Sequence, residues 1–466
     1  MANRKQRLVE DVEFIFSECA RLRHLIAEGG LKALPKDDVW SDLPHPTSSW
    51  GKMICGRAAS DRITELAAEA GRRAGLENRV RLETLRKPLK DLLVQRFLRE
   101  QRPVDVKQVE RTLSAAGKAA KRACKDIIHL VPCHLMLSKD PDELRLGPVL
   151  FRNRRSVRRL LLQKRIDGSE GSADREWVRQ LRCEALKYYR TFNWVAEVTV
   201  HDCDPETSAE LAERAVTSAL DCLHLILGAQ WTDRMRVGGP AVRLDRRAKL
   251  AIQSDGSLSA SLSSRGAGQV SFPDGWSTRL AAPEFRRPLE VCSIALEAAV
   301  NPDVSRPLSR RFLDAAQWFG EASRDTSPST RAVKYVTALE RMVMTEEMDD
   351  ITTVVSERVA ALCFDPTVAG DRSGWRAKAR EAYGLRSRLV HGSMSPLSKE
   401  AWRGVRLGAE LGGATLLSAL NAFGEDGLRA EELSSKRLAE WFTGLLDWAE
   451  QIQPTHDTVG APVPQG

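Results

Sequence analysis

Aromatic side chains are scarce, 6% of 466 residues. They occur mostly singly inside apolar patterns, so the chain has no platform of rings of the kind that stacks single-stranded bases. Long apolar runs are missing as well. A stretch such as Val291-Cys-Ser-Ile-Ala-Leu-Glu-Ala-Ala-Val300 falls far short of the ~20 apolar residues a helix needs to cross a bilayer, and no membrane segment is expected. The opening Met1-Ala-Asn-Arg-Lys-Gln-Arg runs straight into Leu8-Val-Glu-Asp-Val-Glu without an apolar core, so a secretory signal is not expected and a cytoplasmic location is.

The 9 cysteines are scattered, odd in number and include no Cys-x-x-Cys pair, a pattern that predicts reduced, mostly buried thiols. Cys133-His134 and His201-Asp-Cys203 lack the paired spacing of zinc sites, and no metal or other cofactor is expected. There is no Walker A loop, no dinucleotide-binding glycine turn and no nucleophile elbow, and Gly238-Gly-Pro240 reads as a plain loop.

What remains is an ordinary balance of 42% hydrophobic and 29% charged residues, on a chain long enough for two or three separately cored domains. The formal charge of +8 favours an anionic partner such as nucleic acid.

The expected fold class is mainly α with a central α+β region. Residues 1–130 read as helical, with apolar stripes over 9–26 (Val12, Ile15, Phe16, Cys19, Leu22) and 81–99 (Leu82, Leu85, Leu89, Leu92, Leu93, Phe97), and a third helix over 106–125. Residues 131–280 read as a mixed α+β domain. Its expected strands cover 131–135, 146–151 and 192–201, where Phe192, Trp194, Ala196, Val198 and Val200 alternate. A hairpin over 249–262 is expected to turn at Asp255-Gly256. A helix over 208–227 is expected to turn Leu211, Ala215, Ala219, Leu223 and Leu225 or Ile226 inward.

Residues 281–453 read as consecutive helices, expected over 289–300, 307–322, 329–346, 351–364, 375–390, 399–423 and 430–452. Their short connections suggest an antiparallel bundle. The Pro/Gly-rich 454–466 is expected to be a disordered tail.

The densest basic run, Arg152-Asn-Arg-Arg-Ser-Val-Arg-Arg-Leu-Leu-Leu-Gln-Lys-Arg165, precedes an acidic, Gly/Ser-rich loop at 167–174. As a helix it would spread Arg154, Arg155, Arg158, Arg159 and Arg165 over one broad face, a footprint for the RNA phosphate backbone. The plainer alternative is a solvated helix face partly neutralised by the loop.

The most chemically suggestive stretch is Ala382-Tyr-Gly-Leu-Arg-Ser-Arg-Leu-Val-His-Gly392. Cleavage of RNA without a metal needs a group titrating near neutrality to move a proton and a fixed cation to hold the phosphate as charge builds up. His391 and Arg386 are those residue types. On a helix stopped by Gly392, Tyr383, Arg386, Ser387 and His391 fall within an arc of roughly 140°. Arg388 projects away from that arc as a surface charge, and Gly384 would thin the helix where a neighbour approaches. The alternative is that Arg386 pairs with an acidic neighbour and His391 is a helix-end residue favoured by the dipole.

Ala338-Leu-Glu340, then Ser356-Glu-Arg-Val-Ala-Ala-Leu-Cys363, then the pattern Tyr-x2-Arg-Ser-x3-His-Gly at 383–392, together resemble the helical core of Apea-like HEPN domains. The resemblance covers residues 305 to 450. It implies a C-terminal HEPN-like antiparallel helical bundle and a metal-independent endoribonuclease acting as a homodimer, with two copies of the motif facing each other. Such proteins are associated with prokaryotic antiviral defence and toxin-like growth arrest. Carried over by position, Arg386 and His391 match the catalytic pair, Ser387 the polar residue after the arginine, and Glu340 a recurrent acidic position that orients Arg386 or caps a charge network; Tyr383 belongs to the same pattern. The implied partners are RNA, a second copy of the chain, and a protein or phage trigger read by the N-terminal regions. The competing reading is a non-catalytic HEPN module that serves as an RNA-binding sensor or adaptor in a multiprotein defence system.

Overall fold

A computed structural model describes residues 2–30, 41–47, 51–138, 140–163, 172–238, 244–252, 258–266, 275–346 and 349–452. The chain is mostly helical with a small antiparallel sheet region. No helix among the described residues is long and apolar enough to cross a membrane. The backbone divides into two compact units, residues 1–127 with 200–211, and residues 128–199 with 212–466.

The first unit holds α1 (Ala2–Gly29), a hairpin of β1 (Ser41–Pro44) and β2 (Lys52–Cys55), then α2 (Arg57–Ala74), α3 (Leu82–Leu93) and α4 (Val106–Lys121). Its core gathers the expected stripe residues Val12, Ile15, Cys19, Leu85, Leu89, Leu93 and Phe97 around Ile63, Leu66 and Leu113. Leu82, expected inward, is exposed at the first position of α3. The helix expected over 81–99 widens after Leu93 into a π-helical turn, Val94–Arg99, closed by Glu100 N–H donating to Gln95 O at 2.9 Å. The helix expected to reach residue 125 stops at Lys121. From there Ile127, Ile128 and Val131 enter β3 (Lys125–His134), as β-branched side chains favour an extended backbone.

The chain continues through β4 (Glu143–Leu146), β5 (Val149–Asn153), α5 (Arg154–Gln163), α6 (Ser172–Tyr189), β6 (Trp194–Cys203), α7 (Pro205–Leu227), α8 (Ala229–Thr232) and β7 (Arg236–Val237). The sheet order is β4-β5-β6-β3-β7. The stretch 146–151 is a hairpin rather than one strand. Leu146 pairs with Val149 across Gly147-Pro148, and Gly147 has φ 56°, a conformation that a side chain disfavours and this tight turn uses. In β6 the expected residues Trp194, Ala196, Val198 and Val200 are all buried. Trp194 Nε1 donates to Met136 O at 2.9 Å. On α7 the inward stripe is as expected except that Leu211 is only half-buried and Ala212 takes its place in the core.

The pair β8 (Leu244–Ile252) and β9 (Leu258–Gly266) form the expected antiparallel hairpin. Its turn at Asp255-Gly256 lies outside the described residues, as do Arg165 and the 454–466 tail. Then come α9 (Trp276–Leu280), α10 (Pro283–Val300), α11 (Pro307–Arg324), α12 (Pro328–Val343), α13 (Ile351–Cys363), α14 (Asp371–Val390), α15 (Glu400–Arg429) and α16 (Ser435–Ile452). Pro307 and Pro328 sit in the first turns of their helices, where the missing N–H costs nothing. Ser327 caps α12 by accepting from Thr330 N–H.

Helix α12 packs between α11 and α15, and its buried face is Tyr335, Ala338, Leu339, Met342 and Val343, the stripe read from the sequence. Small residues let α15 come close: a Cβ on Gly408 would stand 2.7 Å from Tyr335 Cβ.

Candidate functional site

Packing sets the site before any chemistry does. The buried stripe of α12 holds that helix against the core and leaves Glu340, one residue after Leu339, at the edge. On α14, Ala379, Ala382 and Leu385 are buried, so Tyr383, Arg386 and Ser387 fall half-buried beside that stripe. The two helices pack on each other, which brings Glu340 to Arg386.

Arg386 Nη2 lies 3.4 Å from Glu340 Oε2, with side chains 24% and 20% exposed. The guanidinium carbon is 5.6 Å from the Tyr383 ring centroid, within the range of a cation–π contact. Burial, then the Glu340 carboxylate, hold the Tyr383 hydroxyl above its ordinary range. Arg386 Nε is buried with no hydrogen-bond partner. A guanidinium offers five N–H donors, and among the described residues Arg386 commits one, to Glu340.

His391 is the C-cap of α14, with φ −87° and ψ 6°. Its backbone N–H donates to Ser387 O at 2.9 Å, while the side chain is exposed. Gly392 follows at φ 73°, the left-handed stop expected of a glycine after a helix. Arg388 is turned outward and pairs with Glu400 at 2.7 Å. Gly384 does not mark a close approach: a Cβ there would meet nothing within 4 Å. At this end of α14, Val390, Leu397 and Trp402 expose large apolar side chains.

The structure thus gathers Glu340, Tyr383 and Arg386, puts Ser387 next to them and sets His391 at the exposed end of the same helix. The arrangement offers a braced cation and an accessible imidazole. No hydrogen bond joins the Ser387 side chain to His391 among the described residues.

The basic run forms α5, packed on β5, and its arginines divide between two stripes. Arg159 pairs with Asp142, and Arg155 adds to the field that lowers the Asp142 carboxyl, after the Asn153 hydrogen bond and Arg159. Arg154 and Arg158, one turn apart, instead line a cavity. All four are exposed on α5, and the surroundings of the two stripes differ. Arg190, Leu186 and Phe192 line the same cavity, and nothing in their local pattern singles them out.

A buried polar cluster also escaped the sequence reading. Arg324 reaches the fully buried Asp221 at 2.6 Å. Burial outweighs that partner and pushes the Asp221 carboxyl up to about 7. On the same helix His224 Nδ1 is 2.6 Å from Thr232 Oγ1, and burial, then Arg324, drives its ring down to about 3. The available signal was an acid and a histidine three residues apart in the mostly apolar last turns of that helix, Ala219 to Leu227.

Cys133 is buried, its thiol pushed up to about 12 by burial, and the His134 ring packs tilted against Phe192 with centroids 5.0 Å apart. Among the described residues no three His, Cys, Asp or Glu side chains cluster as metal ligands would. No family model matches the chain, and neither a curated protein nor a solved structure matches it.

Proposed function

We propose that this chain is a cytoplasmic endoribonuclease of the Apea-like HEPN kind, which cuts RNA by internal attack of the 2′-hydroxyl and needs no metal. The observation that carries the reading is Arg386, braced by Glu340 and Tyr383 with donors to spare, on the helix that ends in the exposed His391. In the reaction the ribose 2′-oxygen attacks the adjacent phosphorus and the bond to the 5′-oxygen breaks. His391 handles the proton transfer between the two oxygens. Arg386 holds the non-bridging oxygens as negative charge accumulates, the role in which a preorganised cation contributes most. Ser387 donates to a phosphate oxygen or fixes His391 in this proposal. The products are a 2′,3′-cyclic phosphate and a 5′-hydroxyl, and DNA, which lacks the nucleophile, is spared.

The working form in this proposal is a homodimer whose two motifs face each other, with Val390, Leu397 and Trp402 supplying apolar contact beside His391. Its biological setting is prokaryotic antiviral defence or a toxin-like arrest of growth, with the N-terminal regions receiving a protein or phage trigger.

The test incubates purified protein with total cellular RNA in EDTA beside Arg386→Ala and His391→Ala versions, with end analysis of the fragments. Cleavage by the wild type alone, leaving cyclic-phosphate ends, supports the proposal. RNA binding without cleavage, also when phage components are added, would favour a non-catalytic RNA-binding sensor or adaptor.

A further inference from the structure

A cavity of about 590 Å³ opens among α5, the end of α6 and β6, all on elements other than those of the Arg386 and His391 site. Val157, Leu161, Leu186 and Phe192 give it an apolar wall. Phe192 is 1% exposed, and Tyr188 and His134 each hold its ring at a centroid distance of 5.0 Å. The Tyr189 hydroxyl is tied down by donating to Leu130 O. The Phe192 and Tyr189 side of the wall is therefore fixed by packing before any ligand arrives.

Charge is distributed unevenly around this cavity. Nearby Arg152 is neutralised by Glu143 and Glu197, and Arg159 by Asp142. Arg154, Arg158 and Arg190, the three that line the cavity, carry no ion pair among the described residues. Among the described residues no acidic side chain lines it either. Three guanidinium groups that share one rim and have no acidic partner among the described residues form a seat for an anion. A single carboxylate would satisfy one. A phosphate group carries more charge and matches the planar fork bidentately.

The volume falls inside the ~300–1,000 Å³ range of small-molecule sites, with room for an organic body as well as its anionic end. The apolar wall accepts the flat, weakly polar faces of a base and its ribose. We infer that this cavity binds a nucleoside phosphate, its base beside Leu161 and Leu186 and its phosphates on Arg154, Arg158 and Arg190. The ligand is either a free nucleotide or one nucleotide of an RNA strand. The inference goes beyond the nuclease reading and does not rest on it, because none of these residues belongs to the proposed catalytic set.

Calorimetric titration of the full-length chain tests it, with ADP, GDP, CDP and UDP as one arm, a single-stranded RNA ten nucleotides long as a second, and inorganic pyrophosphate as a control. His391→Ala serves as background, so that RNA stays intact. Expected is saturable binding in at least one nucleotide arm. It should weaken at least about tenfold in Arg154→Ala/Arg158→Ala, whose exposed side chains can be removed without disturbing the core. It should also weaken in the cavity-filling Leu161→Trp, and pyrophosphate should bind far more weakly. Binding by the diphosphates identifies a free nucleotide as the source, and binding by RNA alone identifies a strand. Absence of binding in both arms overturns the inference. So does binding that the arginine substitutions weaken but Leu161→Trp, shown to be folded by circular dichroism, leaves unchanged, since that describes surface charge without a seat for the base. His391→Ala binding at full strength beside a failed cleavage assay would separate this site from the fate of the nuclease proposal.

Discussion

Arg386 and Glu340 meet at 3.4 Å across the contact between α14 and α12, and the Nε of that guanidinium is buried without a hydrogen-bond partner. A partly buried pair of this length contributes about 1 kcal/mol or less to stability. In the proposed reaction its value lies in aiming the cation. Arg386→Ala is expected to cut single-turnover RNA cleavage about 10²–10³-fold, and Glu340→Gln about tenfold by letting the guanidinium swing. Thermal midpoints should move little in both. Equal losses of stability and activity would assign the pair a structural role instead.

His391 caps its helix with an exposed side chain. His391→Ala is expected to lower cleavage by about 10²–10⁴-fold, the usual contribution of one general acid/base, with the melting curve unchanged. Retained cleavage with cyclic-phosphate ends in this variant would remove His391 from the chemistry.

Two glycines in the same helical region predict opposite outcomes. A Cβ at Gly408 would lie 2.7 Å from Tyr335 Cβ, whereas one at Gly384 would meet nothing within 4 Å. Gly408→Ala should destabilise by about 1–3 kcal/mol through overpacking. Gly384→Ala should stabilise α14 by up to about 1 kcal/mol, because alanine is the better helix former. Urea denaturation midpoints read both, and matching shifts would mean that the α12–α15 contact is looser than described.

Asp221 and His224 predict a pH dependence that is concealed in the parent protein. The Asp221 carboxyl rises from 3.8 to about 7 on folding. The unfolded chain therefore releases this proton first, and stability falls as pH climbs from about 4 to 7. The His224 ring drops from 6.5 to about 3. Here the unfolded chain takes up a proton first, and stability falls as pH drops from 6.5 towards 3. The two slopes oppose each other over nearly the same interval. Asp221→Asn should steepen the loss of thermal stability below pH 6.5, and His224→Asn should expose a loss between pH 4 and 7. Variants whose melting temperatures track the parent across this range would refute the pairing.

The periodicities of the sequence went far. The stripe Tyr335, Ala338, Leu339, Met342 and Val343 is the buried face of α12, and the alternation from Trp194 to Val200 is a buried strand. Both succeed because burial of apolar side chains imposes the period of the local backbone. Misreadings came where a turn or a neighbour decided. Leu146 to Phe151 is apolar throughout and reads as one strand, yet Gly147 at φ 56° folds it into a hairpin. Gly384 and Gly408 look alike in sequence, and only the distance to Tyr335 separates them.

Arg386, Ser387 and His391 were legible as a group because they lie within six consecutive residues at the end of one helix. What Arg386 touches was a matter for tertiary structure, since Glu340 is 46 residues away in the chain. The α5 arginines show the same division. A run of like charges announces a basic helix, whereas the separation of Arg159, neutralised by Asp142, from Arg154 and Arg158, facing an apolar cavity, depends on strands and loops that approach from elsewhere. Local spacing determines which side chains share a face, and long-range packing determines what that face meets.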